Sequence, residues 1–296
     1  MSGFWLWFGL ASGLVYAEPR FESESAEVQL EVPEPTLQGI PVSLIEEAIA
    51  VRSLSLDQRL DRVSKLLLQR PYKVDAIGEG KAPDSDPIFR YDVFDCLTFV
   101  EEVLALTLPY DPLDAPKIRQ RLRYGSDGGI DYDNRNHFML QQWIPNGIES
   151  GILEDVTSDL GASVLMEKTV SKNTWMRWKS RSRFHLSDEQ FPVGEYQLDI
   201  LPTDEAMAVL HDIPKGALIL TVRENRSYVP IVVTHIGFVV PSADPDRPMI
   251  RHATKMGAQP RVRNDFLDWY LEHLSNYKYW KVAGIVVLLP QEIEPR

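Results

Sequence analysis

The start of one helix sets the strongest constraint on this chain. In the stretch Phe94-Asp95-Cys96-Leu97-Thr98-Phe99-Val100-Glu101-Glu102-Val103-Leu104-Ala105-Leu106, Leu97, Val100 and Leu104 recur at helical spacing with Val103 beside them. That period calls for an amphipathic helix from about Cys96 until Pro109 stops it. Asp95 stands at the N-cap, its carboxylate free to accept from the first unpaired backbone N–H groups. Cys96, the only cysteine in 296 residues, takes the first helical position. Orphan N–H donors and the positive end of the helix dipole favour a thiolate there and are expected to lower the pKa from about 8.5. A thiolate at a helix start is a nucleophile; the competing reading is a small buried hydrophobe, the commoner fate of free cysteines.

Composition narrows the partners. With 44% hydrophobic and 25% charged residues, the chain has the makeup of an ordinary globular protein. Its formal net charge is −12 and it has no lysine or arginine run. Nucleic acid is therefore not expected as a partner, since its binding needs clustered positive charge. One cysteine excludes an internal disulfide framework and a Cys-rich zinc site. Phe4 to Val15 is a run of apolar or small residues, too short to span a bilayer but suited to the core of a signal peptide. Val15-Tyr16-Ala17 offers a cleavage site, so residues 1–17 are expected to be a signal peptide, although no lysine or arginine precedes Arg20. A buried N-terminal strand is the alternative. Export to the periplasm or beyond the cell follows from the first reading, with no stable membrane anchor once the signal is removed. Residues 18–40, rich in glutamate and proline, read as an acidic flexible tail ahead of a domain over 41–290.

Helical patterns cover Pro41–Val51 and Leu56–Leu68, and Lys73–Ile88 is a loop. From about 110 to 195 the pattern is irregular and polar, a long insert of loops and short helices that carries Tyr132, Arg135 and His137. Arg135 and His137 read either as hydrogen-bonded anchors of that insert or as site residues. Strands follow over Ala217–Val222, Val229–Val240, Met249–Thr254 and Val282–Leu289, with a short helix over Asp265–Leu274. Early helices and a late cluster of antiparallel strands predict an α+β fold.

Two histidines stand out among those strands. His235 interrupts the apolar run Ile231 to Val240, and alternation puts Gly237 on its face, leaving room for a nucleophile or substrate. His252 lies on the next strand; if the two strands pair, it falls directly or diagonally opposite His235, within hydrogen-bonding reach. Cys96, His235 and His252 thus have the order and element types of a nucleophile, base and orienter. A lone strand histidine is more often a satisfied core residue. A zinc amidase using His235, His252 and a carboxylate is the rival chemistry, but no His-Glu-x-x-His motif is present and it leaves Asp95-Cys96 unexplained.

Phe94-Asp95-Cys96, His235-Ile236-Gly237 and His252-Ala253 resemble the NlpC-type cell-wall cysteine hydrolases, which have a compact papain-like fold. More closely, Asp95 to Glu101, Arg123-Tyr124, Tyr132 to His137, Trp143 to Gly147 and Asp155-Val156-Thr157 resemble the N-acetylmuramoyl-L-alanine amidase-like branch. The resemblance implies a nucleophile at a helix N-terminus packed on an antiparallel sheet. It implies hydrolysis of the amide between N-acetylmuramic acid, in its ordinary or anhydro form, and L-alanine in peptidoglycan fragments. Muropeptides would be the partner, the enzyme a monomer, with no metal or other cofactor. Pro71-Tyr72 matches a Pro-Tyr pair that brings a tyrosine hydroxyl to the site, with Tyr91 as substitute, and Asp95, Tyr132, Arg135 and His137 would contact substrate. The alternatives are a D-glutamyl-diamino acid endopeptidase of the same superfamily and a non-catalytic cell-wall binding module.

Overall fold

The computed structural model describes residues 34–125 and 129–293. The expected signal peptide and most of the acidic tail lie outside them. The end of that tail differs from expectation: Thr36–Leu37 (β1) and Ile40–Pro41 (β2) pair as a small hairpin. Gly39, at φ +80°, makes its turn, and burial of Ile40 holds it.

Four helices build one side of the molecule: Val42–Val51 (α1), Leu56–Lys65 (α2), Cys96–Thr107 (α3) and Ala115–Arg123 (α4). α3 is not amphipathic in its setting, because every residue from Thr98 to Thr107 is buried. Its expected polar face, Glu101 and Glu102, meets arginines from α4 instead of water. Arg119 grips Glu102 with Nε and Nη2 at 2.7 and 2.6 Å, and Arg123 Nε donates to Glu101 at 2.8 Å. Trp143 Nε1 donates to the other Glu101 oxygen at 3.0 Å. Buried carboxylates are tolerable only when paired and hydrogen-bonded in this way.

The region 110–195 is more regular than its sequence suggests. After α4 come Ile144–Glu149 (α5), Leu153–Asp155 (β3), Thr157–Leu160 (α6), Val164–Val170 (β4), Lys172–Arg177 (α7) and Gly194–Ile200 (β5). β4 and β5 form a two-stranded ribbon, Val164 opposite Ile200 through Val170 opposite Gly194. Exposed polar residues such as Glu167 and Gln197 hide these strands from a hydrophobicity reading. An aromatic knot ties the chain between them, with Trp175 stacked on Phe191 at 4.4 Å and Phe138 edge-on to Phe191 at 5.1 Å.

The remainder is Thr203–Ala208 (α8), Leu218–Arg223 (β6), Val233–Val240 (β7), Met249–Thr254 (β8), Arg261–Phe266 (β9), Leu267–Ser275 (α9) and Val282–Pro290 (β10). One sheet, ordered β3-β10-β6-β7-β8-β9, is antiparallel throughout. Leu218, Leu220, Ile236, Phe238 and Val286 share a core with α1–α4, while Ile219, Val239, Ile250, Ile285 and Val287 share one with α8 and α9. That alternation is the period of two expected of strands covered on both faces. The fold is α+β, with helices early and the antiparallel strands late.

Two details of this sheet position the site. β9 occupies positions where the sequence pattern predicts the start of a helix, so α9 begins two residues later than expected. β6 and β8 run in the same direction on either side of β7. Their C-terminal ends and the start of β7 therefore meet at one end of the sheet's inner strands.

Candidate active site

At α3 the N-cap is built as the sequence requires. Asp95 Oδ1 accepts from the Thr98 N–H at 2.8 Å, and Thr98 Oγ1 accepts from the Asp95 N–H at 3.0 Å. This reciprocal box fixes the helix start and with it the position of Cys96. A cavity of about 230 Å³ opens there, lined by Tyr72, Cys96, Thr221, Arg223, His235 and Lys255 among others.

The thiol is not in the state the helix dipole alone would give. Burial, and then the Asp95 charge, push the Cys96 thiol up to about 12, against opposing pulls from the N–H groups of Ile236, Leu97 and Cys96 itself. Cys96 is half-buried and keeps its accessible surface on the cavity. The expected lowering is thus reversed, because loss of solvent outweighs three backbone dipoles. The Ile236 contact places the sulfur against β7, one residue from His235.

His235 and His252 are joined. His235 Nε2 lies 2.8 Å from His252 Nδ1, and His252 Nε2 lies 2.9 Å from Asp265 Oδ2. Strand pairing sets Phe238 opposite Arg251 and Val239 opposite Ile250, so His252 is diagonal to His235 rather than opposite it. Gly237 has a different use from the expected open space. A Cβ there would lie 2.8 Å from His252 Cβ and 2.9 Å from the Arg251 carbonyl, so the glycine admits His252 itself.

Asp265 assigns the protons along this relay. Burial pushes its pKa up, but hydrogen bonds from His252 and Arg263 outweigh that and hold it below the usual value. As a carboxylate it only accepts, so His252 carries its proton on Nε2 and accepts through Nδ1. His235 must then donate from Nε2, which leaves its Nδ1 unprotonated. Burial, then the fields of His252 and Arg223, hold His235 well below 6.5, so the ring is neutral at pH 7. Both nitrogens of His252 are engaged, and among the described residues no group of three His, Cys, Asp or Glu is placed to hold a metal ion.

Sequence reasoning missed Asp265, which sits on the unanticipated strand β9, with Arg263 Nη2 donating to its other oxygen. It also missed a hydroxyl pair facing the cavity, Thr221 Oγ1 and Tyr270 Oη, 2.6 Å apart. Thr221 lies directly opposite His235, beside a register shift between β6 and β7. Such irregularities re-aim side chains next to sites. A polar residue within the apolar Leu218 to Val222 run was the available signal.

Of the other candidates, Tyr72 reaches the cavity and Tyr91 does not, since Tyr91 is buried beside Arg119. Burial, then Cys96 and Asp95, raise the Tyr72 pKa, so its hydroxyl keeps its proton. Tyr132, Arg135 and His137 form a separate cluster and do not line this cavity. Arg135 pairs with Glu79 at 2.7 Å and Asp84 at 2.9 Å, and its guanidinium lies over the Tyr132 ring at 5.1 Å. His137 Nε2 lies 2.7 Å from the Tyr132 carbonyl oxygen. Their link to the site is indirect, through Asp75, which lies within the field of both Arg135 and Asp95.

Fold and site together define a mixed α/β protein in which a helix-opening thiol and the first histidine of a His–His–Asp relay line one cavity at the ends of the inner strands of an antiparallel sheet. The family model described as AmiA-like, N-acetylmuramoyl-L-alanine amidase-like, matches residues 62–276, and the chain belongs to that family. Membership supports a peptidoglycan amidase-like hydrolase function. Among solved structures, a Legionella pneumophila protein matches with a TM-score of 0.72 at 21% identity, over 84% of this chain and 93% of its own. An N-acetylmuramoyl-L-alanine amidase from Bacteroides uniformis matches with a TM-score of 0.62 at 22% identity, over 80% and 99%. A Bacteroides fragilis protein with the provisional name of xylanase matches with a TM-score of 0.61 at 26% identity, over 76% and 98%. No curated protein sequence matches the chain.

Proposed function

We propose that this protein is a cysteine amidase of the papain-like NlpC type, exported to the periplasm or beyond the cell. Its bond is the amide between N-acetylmuramic acid and L-alanine in soluble peptidoglycan fragments, with anhydro-muropeptides as the preferred form. One observation carries the reading: the Asp265–His252–His235 relay leaves an unprotonated Nδ1 on a ring that shares its cavity with the only thiol.

In this mechanism the Cys96 proton passes to His235 Nδ1 as sulfur attacks the lactyl carbonyl carbon. A raised thiol and a lowered imidazole oppose a resting ion pair, so proton transfer accompanies attack. The Tyr72 hydroxyl and the Cys96 N–H are the donors offered to the oxyanion. Collapse breaks the C–N bond, and His235 returns its proton to the L-alanine amine. Water, deprotonated by the same ring, then hydrolyses the thioester and frees the muramic acid carboxylate and the thiol. His252 and Asp265 act through His235 as positioning residues. Arg135 and Tyr132 anchor the loop that carries Glu79 and Asp84, and with His137 they stay outside the cavity.

The name of the Bacteroides fragilis relative suggests glycoside cleavage, which needs two carboxylates flanking the scissile bond. The cavity here has Cys96 and His235 in that place. Digestion of a defined anhydro-muropeptide with tagging of new amines tests the assignment. A free L-alanine amine with release of the intact sugar is expected. A new diamino-acid amine with L-alanine still on the sugar would assign the protein to the endopeptidases instead.

A further inference from the structure

Arg223 is a charged group of the cavity to which the mechanism gives no contact with substrate, although its field acts on His235. It ends β6, on the flank of β7 opposite β8, and is half-buried. Its guanidinium is held in place on three sides. Nε donates to Thr234 Oγ1 at 3.2 Å, Nη1 donates to the Trp280 carbonyl at 2.8 Å, and the plane lies 4.2 Å over the Tyr277 ring. Those contacts use two of the five N–H donors of an arginine. No carboxylate among the described residues pairs with it.

Half-buried Arg70, Arg226 and Arg261 likewise meet no carboxylate among the described residues, but none of them lines the cavity. Arg59, Arg119, Arg123 and Arg251, the buried arginines, each meet a carboxylate within 3.2 Å. Arg223 instead lines the cavity with donors to spare. Lys255, just past the end of β8, lines the other flank with its Nζ 5.5 Å from the Tyr72 ring centroid, and it too has no ion pair among the described residues. The sheet order thus sets one unpaired cation on each side of the strand that carries His235. On a chain of net charge −12 this is a local exception. Fields are screened beyond roughly 8–10 Å at physiological salt, so the nearby charge governs what enters.

We propose that Arg223 is a specificity-determining residue that binds a carboxylate of the substrate, so that the cavity takes an anionic peptide amide rather than a neutral one. This rests on the amidase reading of the same site. In a muropeptide the carboxylate nearest the scissile amide on the leaving side is the free α-carboxylate of the D-glutamyl residue next to L-alanine. A held, planar guanidinium matches a carboxylate through two parallel hydrogen bonds, and Lys255 adds a second positive charge without that geometry.

The test compares a defined muropeptide carrying D-glutamate with its D-isoglutamine counterpart, in which that carboxylate is an amide. The full chain should cut the acidic substrate with kcat/KM roughly 10- to 150-fold higher, the range for losing a charge-assisted hydrogen bond. Arg223→Gln should lower the acidic substrate by about that factor more than the amidated one, and so collapse the discrimination, whatever smaller change the loss of its field on His235 makes to both. Arg223→Lys should recover part of it. Equal cleavage of both substrates by the wild type, with L-alanine amine released, would overturn the inference and leave the amidase reading intact. Discrimination that survives in Arg223→Gln would also overturn it. If Arg223→Gln does not fold, the wild-type comparison and Arg223→Lys still decide. Release of no L-alanine amine from either substrate would remove the amidase reading, and this inference with it.

Discussion

Replacing Asp265 with asparagine keeps the shape of the side chain, removes its charge and should reverse the protons of the relay. The carboxylate accepts from His252 Nε2 at 2.9 Å and from Arg263 Nη2. Asparagine has one oxygen, and the Arg263 guanidinium, which has no acceptor role, claims it. The side-chain NH2 then faces His252 Nε2, which must become the acceptor. The proton moves to His252 Nδ1, and His235 Nε2, 2.8 Å away, must accept in turn. His235 is left with its proton on Nδ1, the nitrogen that should receive the one from Cys96. Restoring the working tautomer sacrifices one charge-assisted hydrogen bond, about 1.5–3 kcal/mol. Asp265→Asn should therefore lower kcat on an anhydro-muropeptide by roughly 10- to 150-fold, since 1.4 kcal/mol is a factor of about ten, with KM little changed. The Arg263 pair is partly exposed and adds little to stability, so thermal unfolding should move by no more than a few degrees. Nitrogen-15 NMR of the imidazoles gives a readout independent of turnover and should show the His235 proton exchanged between ring positions. A kcat within twofold of wild type, or an unchanged tautomer, would refute the relay.

The same geometry makes three other outcomes testable. With burial pushing the Cys96 thiol up to about 12, its alkylation by iodoacetamide in the absence of substrate should keep accelerating beyond pH 9; a plateau near pH 7 would show a preformed thiolate. Gly237→Ala places a Cβ 2.8 Å from His252 Cβ and 2.9 Å from the Arg251 carbonyl, so β7 and β8 must part at the relay. It should destabilise by about 1–3 kcal/mol in urea titrations, the usual cost of overpacking, and abolish turnover; an active, equally stable variant would contradict that packing. Glu102→Gln leaves Arg119 buried without its carboxylate, which should cost about 3–5 kcal/mol and lower the midpoint of thermal unfolding by roughly 10 °C; a shift under 2 °C would contradict it.

What the sequence discloses depends on how local the cause is. The Asp95 cap is a contact between residues three apart, and the start of α3 is legible from it. The strands carrying His235 and His252 announce themselves through apolar runs, and their pairing brings the rings together as the hairpin argument requires. β9 is not legible, because Arg261-Val262-Arg263-Asn264-Asp265-Phe266 buries only Val262 and Asp265 and shows little alternation. Missing that strand hides Asp265, whose role depends on His252 thirteen positions away. The Cys96 thiol fails for a related reason. A helix dipole can be read from neighbours in sequence, whereas the burial that raises the thiol is set by how distant elements pack around it. Glu101 and Glu102 look like a solvated face until Arg119 and Arg123 come in from α4.

The most direct test of the central claim is the rate at which Cys96→Ala releases a free L-alanine amine from an anhydro-muropeptide, with circular dichroism confirming that the variant is folded. Removing the sulfur removes the nucleophile that attacks the amide and forms the thioester. No release above the uncatalysed background is predicted, while the wild type, under the same conditions, turns over. A folded Cys96→Ala protein that hydrolyses the amide at a rate comparable to wild type would contradict thiol catalysis.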